Sequence, residues 1–177
     1  ASFPTFLNNA EPTSESSAEI ISSTADGMTL VYSDSPQGVI GLVDITDPAN
    51  PTAKGNIAVG GEPTAVSIIG NTAFVSVNTS ESYTAPSGKI KAFDLKSMSE
   101  TSSCDLGGQP DSTSSAPDGS FIAIAIENER DEDLGDGRGH AFRLEIEDAE
   151  RLNGFPVGWT ESCYPLMIPG RPWMKAV

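Results

Sequence analysis

A motif that returns along the chain restricts its fold more than any property of its composition. Gly-x-Pro stands at Gly61-Glu62-Pro63, Gly108-Gln109-Pro110 and Gly170-Arg171-Pro172, each time closing one stretch and opening the next. A period of about 40 to 50 residues means a solenoid or propeller rather than one ordinary sheet, because each repeat buries its face only against its neighbours.

Two further anchors keep step with the first. Turn chemistry precedes an apolar run at Ala25-Asp26-Gly27, Ile69-Gly70-Asn71 and Pro117-Asp118-Gly119. Gly, Asn and Asp tolerate the positive φ of tight hairpins, and β-rich segments follow, which predicts buried inner strands over Thr29 to Tyr32, Thr72 to Val77 and Phe121 to Ile126. A glycine then starts a strand with an acid at one fixed offset, from Gly38 to Asp44, Gly88 to Asp94 and Gly139 to Glu145. Asp47-Pro48 and Asn50-Pro51 punctuate the turn after the first of these.

No window sustains apolar residues at helical spacing with proper caps, and Gly and Pro interrupt too often. The expected fold is therefore all-β: a β-propeller of four-stranded antiparallel blades, incomplete in this chain, with about three blades and the start of a fourth. The divisions are 18–59 for blade 1, 60–106 for blade 2, 107–168 for blade 3 and 169–177 for the start of blade 4. Residues 1–17 are polar apart from Phe3, Phe6 and Leu7, and read as a terminal tail or a ring-closing outer strand.

Rings typically close with four to eight blades, so an open stack implies partners. The remaining blades or a hydrolase region of the same protein, or a second copy, would cover its ends. From Arg138 onward the composition turns more basic and aromatic, so contiguity of 138–177 with Gly137 is an open question. The start at Ala1-Ser2-Phe3 without Met predicts a processed mature end.

Charge narrows the partners. Ten Lys and Arg against 25 Asp and Glu give a formal charge of -15, a field that repels phosphate backbones and anionic lipid and attracts cations. Nucleic acid and membrane insertion are excluded as expectations, the latter because no apolar run approaches the roughly 20 residues a membrane helix requires. Cys104 and Cys163 form no Cys-x-x-Cys pair. Both precede Gly-x-Pro turns, which separates them by a blade, so bridged and unbridged readings stay open.

Several segments together resemble a known family. They are Gly41-Leu42-Val43-Asp44-Ile45-Thr46-Asp47-Pro48-Ala49-Asn50-Pro51, Leu106-Gly107-Gly108-Gln109-Pro110-Asp111-Ser112, and Ala116-Pro117-Asp118-Gly119 running into Ile126 to Gly137. Residues 18–137 resemble the propeller region of bacterial phytase-like proteins with esterase-like activity, similar also to choice-of-anchor and YVTN-type surface propellers. The resemblance implies a secreted or periplasmic protein whose propeller accompanies a separate region hydrolysing phosphate or carboxylate esters, with a small anionic or ester ligand. The chain departs from it after Gly137, where Arg138-Gly139-His140-Ala141-Phe142 replaces the expected loop and strand. No position here matches a catalytic motif of that family, so no catalytic residue is carried over.

Among chemical groups, the acidic run from Glu127 to Gly137 is the strongest site candidate, because clustered carboxylates on a Gly-containing loop are what Ca²⁺ requires. Glu127, Asp131, Asp133 and Asp136 are the expected metal ligands, although their spacing does not match an EF-hand loop. A solvated connection between strands is the competing reading. His140 is the only histidine and stands with no positioned nucleophile, which favours a structural role. Asp44, Asp94 and Glu145 read as turn-forming acceptors, the alternative being carboxylates converging on a central channel. Trp159, Tyr164 and Trp173 read as core aromatics before ligand-stacking ones, and Asn78-Thr79-Ser80 is a common sequon.

The expected function is a noncatalytic binding or scaffold module of an extracytoplasmic phytase-like or esterase-like protein. Its rivals are a calcium-dependent phosphate-ester hydrolase and a structural surface-layer or interaction protein.

Overall fold

The computed structural model describes residues 1–128 and the strand at 142–148. The first sheet contains β1 (Ala18–Ser23), β2 (Thr29–Asp34), β3 (Val39–Asp44) and β4 (Thr52–Ala58). The second contains β5 (Glu62–Ile69), β6 (Thr72–Asn78), β7 (Gly88–Asp94) and β8 (Ser99–Asp105), and the third β9 (Pro110–Ser115), β10 (Phe121–Glu127) and β11 (Phe142–Asp148). Strands neighbour one another in chain order within every sheet, and the pairings are antiparallel.

The turns form for the reason their residues suggest. Gly27, Gly70 and Gly119 end the hairpins into β2, β6 and β10 at φ of +69°, +61° and +73°, a region where a Cβ would be strained. Aspartates stitch the same turns, with Asp26 Oδ1 accepting from the Met28 N–H at 2.9 Å and Asp118 Oδ1 from the Ser120 N–H at 3.1 Å.

Sheets pack face to face through two apolar seams. Val31, Ile40, Leu42 and Ile57 of the first meet Val66, Ala73, Val75 and Val77 of the second. Phe74, Ile90, Ala92 and Leu106 of the second then meet Ile122, Ile124 and Ile126 of the third. Alternation along β6 sends Ala73, Val75 and Val77 one way and Phe74 the other, so the strand is buried on both faces and reads as a near-continuous apolar run. Stacked antiparallel four-stranded sheets are the blades of a β-propeller, and the described residues hold two such blades and three strands of another.

The segments read as buried inner strands, β2, β6 and β10, each lie between two paired neighbours in their sheet, as expected. Two expectations change. The fixed offset places Glu145 level with Asp44 and Asp94, but strand register does not. Asp44 pairs with Thr29, Asp94 with Thr72 and Asp148 with Phe121, each opposite the first residue of the second strand, whereas Glu145 pairs with Ile124. The equivalent of Asp44 is therefore Asp148, because β11 starts at Phe142 and Gly139 precedes it. Finally, residues 1–17 form no strand; they carry a 3-10 turn at Thr5–Asn8 and lie against blade 1.

Cys104 sits on β8 opposite Ile90 and is disulfide-bonded. Cys163, the only other cysteine in the chain, lies outside the described residues.

Candidate functional site

One position in the repeat builds the site. The first strand of each blade bulges near its start, between Ala18 and Ile21 in β1, between Pro63 and Ala65 in β5, and between Pro110 and Ser112 in β9. A bulge leaves a residue outside the ladder and re-aims its side chain. The residues released are Glu19, Thr64 and Asp111, and all of them line one cavity of about 380 Å³. The ends of second strands add Ser35 and Glu127, the residues before the bulges add Glu62 and Gln109, and Pro110 and Tyr83 complete the wall.

The glycines of the two sequence anchors bring these ends together. A Cβ on Gly61 would stand 2.6 Å from Val77 Cγ1 and 2.7 Å from the Asn78 carbonyl, and one on Gly108 2.6 Å from Ile126 Cγ2. The Gly-x-Pro at Gly61 and that at Gly108 therefore let the start of a first strand close onto the end of the second strand beside it. Gly88 is pressed in turn by the next repeat, since its Cβ would meet Pro110 Cδ at 2.2 Å and the Gly108 carbonyl at 2.5 Å. The strand-opening glycine of one blade thus interlocks with the Gly-x-Pro of the following blade.

Hydrogen bonds hold the wall in place. The Glu127 N–H donates to the Gln109 carbonyl at 2.9 Å, and the Gln109 N–H donates to Asn128 Oδ1 at 2.9 Å. Asn78 Nδ2 donates to Glu62 Oε2 at 3.0 Å. Ser35 Oγ reaches Glu19 Oε2 at 2.9 Å and the Pro63 carbonyl at 3.0 Å. Tyr83 comes from the β6–β7 connection, whose base is closed by the Thr79 N–H on the Ser87 carbonyl at 3.1 Å and by Ser80 Oγ on the same carbonyl at 3.1 Å. It is 55 % exposed and stands over the mouth.

Four carboxylates, Glu19, Glu62, Asp111 and Glu127, face this space, and no Lys, Arg or His is among the described residues that line it. Such a wall favours cations. Among the described residues no three His, Cys, Asp or Glu side chains converge closely enough to share a metal ion. Glu127 is the one expected metal ligand inside the described residues; Asp131, Asp133 and Asp136 lie outside them, as do His140, Trp159, Tyr164 and Trp173. Sequence reasoning missed Glu19, Glu62, Thr64 and Asp111; the one signal that could have pointed to Glu62 and Asp111 is that they stand within or directly after a Gly-x-Pro, and the bulges that turn Glu19, Thr64 and Asp111 inward have no sequence mark.

Asp44 and Asp94 do not join the site. Asp44 Oδ1 accepts from the Thr46 N–H at 2.9 Å, and Asp94 Oδ1 from the Ser97 N–H at 2.7 Å and the Lys96 N–H at 3.1 Å. These bonds favour the charged form and lower both carboxyls below the usual aspartate value, through the side chain and N–H of Thr46 for Asp44 and the N–H and hydroxyl of Ser97 for Asp94. Both are turn acceptors, as the repeat implied.

The sequence matches the Choice-of-anchor I domain over residues 19–153. The chain belongs to the choice-of-anchor I family. No curated protein matches it. Solved structures similar to this choice-of-anchor I chain include Kuenenia stuttgartiensis hydrazine synthase, with a TM-score of 0.60 and 19% identity over 76% of this chain and 34% of that one. A functionally unknown protein from Desulfotomaculum acetoxidans gives 0.51 and 14% over 82% and 43%, and a eukaryotic initiation factor 0.51 and 11% over 85% and 33%. At such identities the likeness concerns the propeller-like fold alone. The chain spans 33% to 43% of the length of these structures.

Proposed function

We propose that this chain is a noncatalytic binding or scaffold module of an extracytoplasmic protein, secreted or periplasmic, whose parent is phytase-like or esterase-like. The observation that carries the reading is the acidic cavity, because equivalent positions of successive blades supply its wall. Side chains gathered from several blades at one end of a stack are a binding surface built by the repeat. Family membership supports the location, since choice-of-anchor domains occur in extracellular or cell-surface proteins. The disulfide at Cys104 accords with an oxidising compartment.

Calcium is the cation proposed. Glu127 ends β10 on the cavity, and Asp131, Asp133 and Asp136 follow it in the sequence as further oxygen ligands proposed for the ion. Oxygen-only ligands suit Ca²⁺. A small anionic or ester ligand would approach this wall only through a bound cation, which supplies the charge that the lining lacks. Remaining blades, a hydrolase region of the same protein or a second copy are the proposed macromolecular partners.

Calorimetric titration of the chain with Ca²⁺, beside Glu127→Gln, tests the binding reading: saturable binding weakened by the substitution is expected. Hydrolysis of a phosphomonoester or a short-chain ester is measured in the same samples. Ca²⁺-dependent turnover would replace the noncatalytic reading with that of a hydrolase, and absent Ca²⁺ binding would remove calcium from it.

A further inference from the structure

Blade 1 has two faces, and among the described residues only one of them meets another blade. Its second face carries Leu30, Tyr32 and Val43, and in blades 2 and 3 the equivalent strand positions, Ala73, Val75 and Val77 or Ile122, Ile124 and Ile126, receive the preceding blade. No sheet precedes blade 1 among the described residues, yet Tyr32 is 2 %, Val43 3 % and Asp34 0 % exposed. Residues 1–17 supply the cover.

The cover is bonded to that face by polar groups the other blades lack. Asn8 inserts its carboxamide at the bulge between β3 and β4: Nδ2 donates to the Leu42 carbonyl and to Tyr32 Oη, both at 3.0 Å, while Oδ1 accepts the Gly55 N–H at 3.0 Å. It takes the place of a peptide unit in the ladder. Ser16 Oγ and the Ser17 N–H donate to the two oxygens of Asp34 at 2.5 and 3.1 Å, and Gln37 Nε2 donates to the Glu15 carbonyl. Where blades 2 and 3 place Val77 and Ile126, blade 1 places Asp34, and where they place Val75 and Ile124 it places Tyr32. An aliphatic sheet would leave the Tyr32 hydroxyl and the Asp34 carboxylate buried without partners, which is costly.

We infer that residues 1–17 are a built cap, seated on blade 1 where a neighbouring blade would pack, and that they block blade-to-blade association through this face. The partner surface that the cap excludes is a sheet face like that of blade 3. There Phe121 is 39 % exposed, on the strand that occupies the place of β2 in blade 1. Beneath the cap a cavity of about 390 Å³ lies between Phe3 and the residues Ile21, Leu30, Tyr32, Val43 and Ile45. Removing the cap opens an apolar seat to the unlike face of another copy, a head-to-tail contact that need not close on itself.

Sedimentation velocity over a concentration series compares the full chain with a chain lacking residues 1–17. The full chain is expected to keep one sedimentation coefficient, and the shortened chain to sediment faster as concentration rises, with reversal on adding a peptide of residues 1–17. Nitration of Tyr32, read by peptide mass, is expected only in the shortened chain at low concentration. Unchanged sedimentation together with unreactive Tyr32 in the shortened chain overturns the inference. Should that chain not stay folded, the full chain with Asn8→Ala and Ser16→Ala answers instead by hydrogen exchange. The Gly55 amide then exchanges about fivefold faster or more while Phe74 and Val75 keep their protection. Equal Gly55 exchange in the two proteins overturns the inference as well.

Discussion

The ring of Tyr32 fills the space that a side chain at Gly41, its cross-strand partner, would occupy: a Cβ there would stand 2.1 Å from Tyr32 Cζ. The glycine is needed for room, whatever its backbone angles, and the aromatic ring covers the gap that a strand glycine leaves. Gly41→Ala is expected to destabilise by about 1 to 3 kcal/mol, the usual cost of overpacking a tight site. In a Tyr32→Leu background the same substitution should cost markedly less, because the two residues share one space. Denaturant unfolding of both single variants and the double variant measures the coupling, and additive effects would mean that the contact does not decide the cost.

The turn aspartates predict an acid limit. Asp26 is lowered first by the Thr24 hydroxyl and then the Met28 N–H, Asp47 by the Asn50 amide and the Ala49 N–H, and Asp118 by the Ser120 hydroxyl and N–H, with Asp44 and Asp94 alike. A depressed native value contributes stability above the unfolded aspartate value of about 3.9, and that contribution is lost as pH falls through the native one. Thermal stability should therefore change little on this account down to about pH 4 and fall below it. Asp94→Asn should flatten that fall, measured as melting temperature against pH, while leaving the neutral fold intact.

Much of this architecture was legible because the repeat is written in residues with one dominant use. Glycines at Gly27, Gly70 and Gly119 ask for positive φ, and Gly61 and Gly108 ask for space, so the turns and strand ends could be placed from the letters alone. Glu145 misled because a fixed count from Gly139 ignores where pairing begins; the ladder starts at Phe142 and puts Asp148 opposite Phe121. The bulges at Glu19, Thr64 and Asp111 were invisible, since an extra residue in a strand is a property of two paired chains. Residues 1–17 were unreadable for a related reason: Asn8 acts by completing a gap between β3 and β4 that exists only once those strands are paired.

Tyr32 sets an alkaline limit. Burial raises its phenol above the ordinary value of 10.0; the Asn8 hydrogen bond works against this, and the nearby Asp34 adds to it. A raised native value gives stability that is complete below the unfolded value and is lost as pH climbs through the native one. Ultraviolet titration of the phenols should thus find a group ionising above the ordinary tyrosine range, and Tyr32→Phe should remove that late step. The same substitution gives up the bond from Asn8 and should cost about 1 kcal/mol at neutral pH.

The disulfide yields a simple measurement. Cys104 is bonded and the chain has 2 cysteines, so the folded protein without reductant should show no thiol reactive toward a mild reagent. Reduction should lower the melting temperature, because the bond restricts the unfolded chain, an effect typically of about 2 to 4 kcal/mol. Two free thiols per chain in non-reduced, unfolded protein would show that the bridge does not persist in solution.

The acidic wall makes the last prediction. Glu19, Glu62, Asp111 and Glu127 share one cavity with no basic residue among its described lining, so their mutual repulsion opposes folding when no cation is present. Salt screens such charges, with a Debye length of about 10 Å at 0.1 M. The native chain should therefore gain melting temperature with added sodium chloride at low ionic strength, and gain more from Ca²⁺ at equal ionic strength through mass action on a bound ion. Glu127→Gln relieves repulsion and removes a ligand at once. It should raise the melting temperature in low salt without calcium and shrink the additional gain from Ca²⁺, two opposite movements that a merely destabilised variant would not produce. Glu81→Gln, a change at an exposed acid of the β6–β7 connection that does not line the cavity, is the control and should leave both responses as they are.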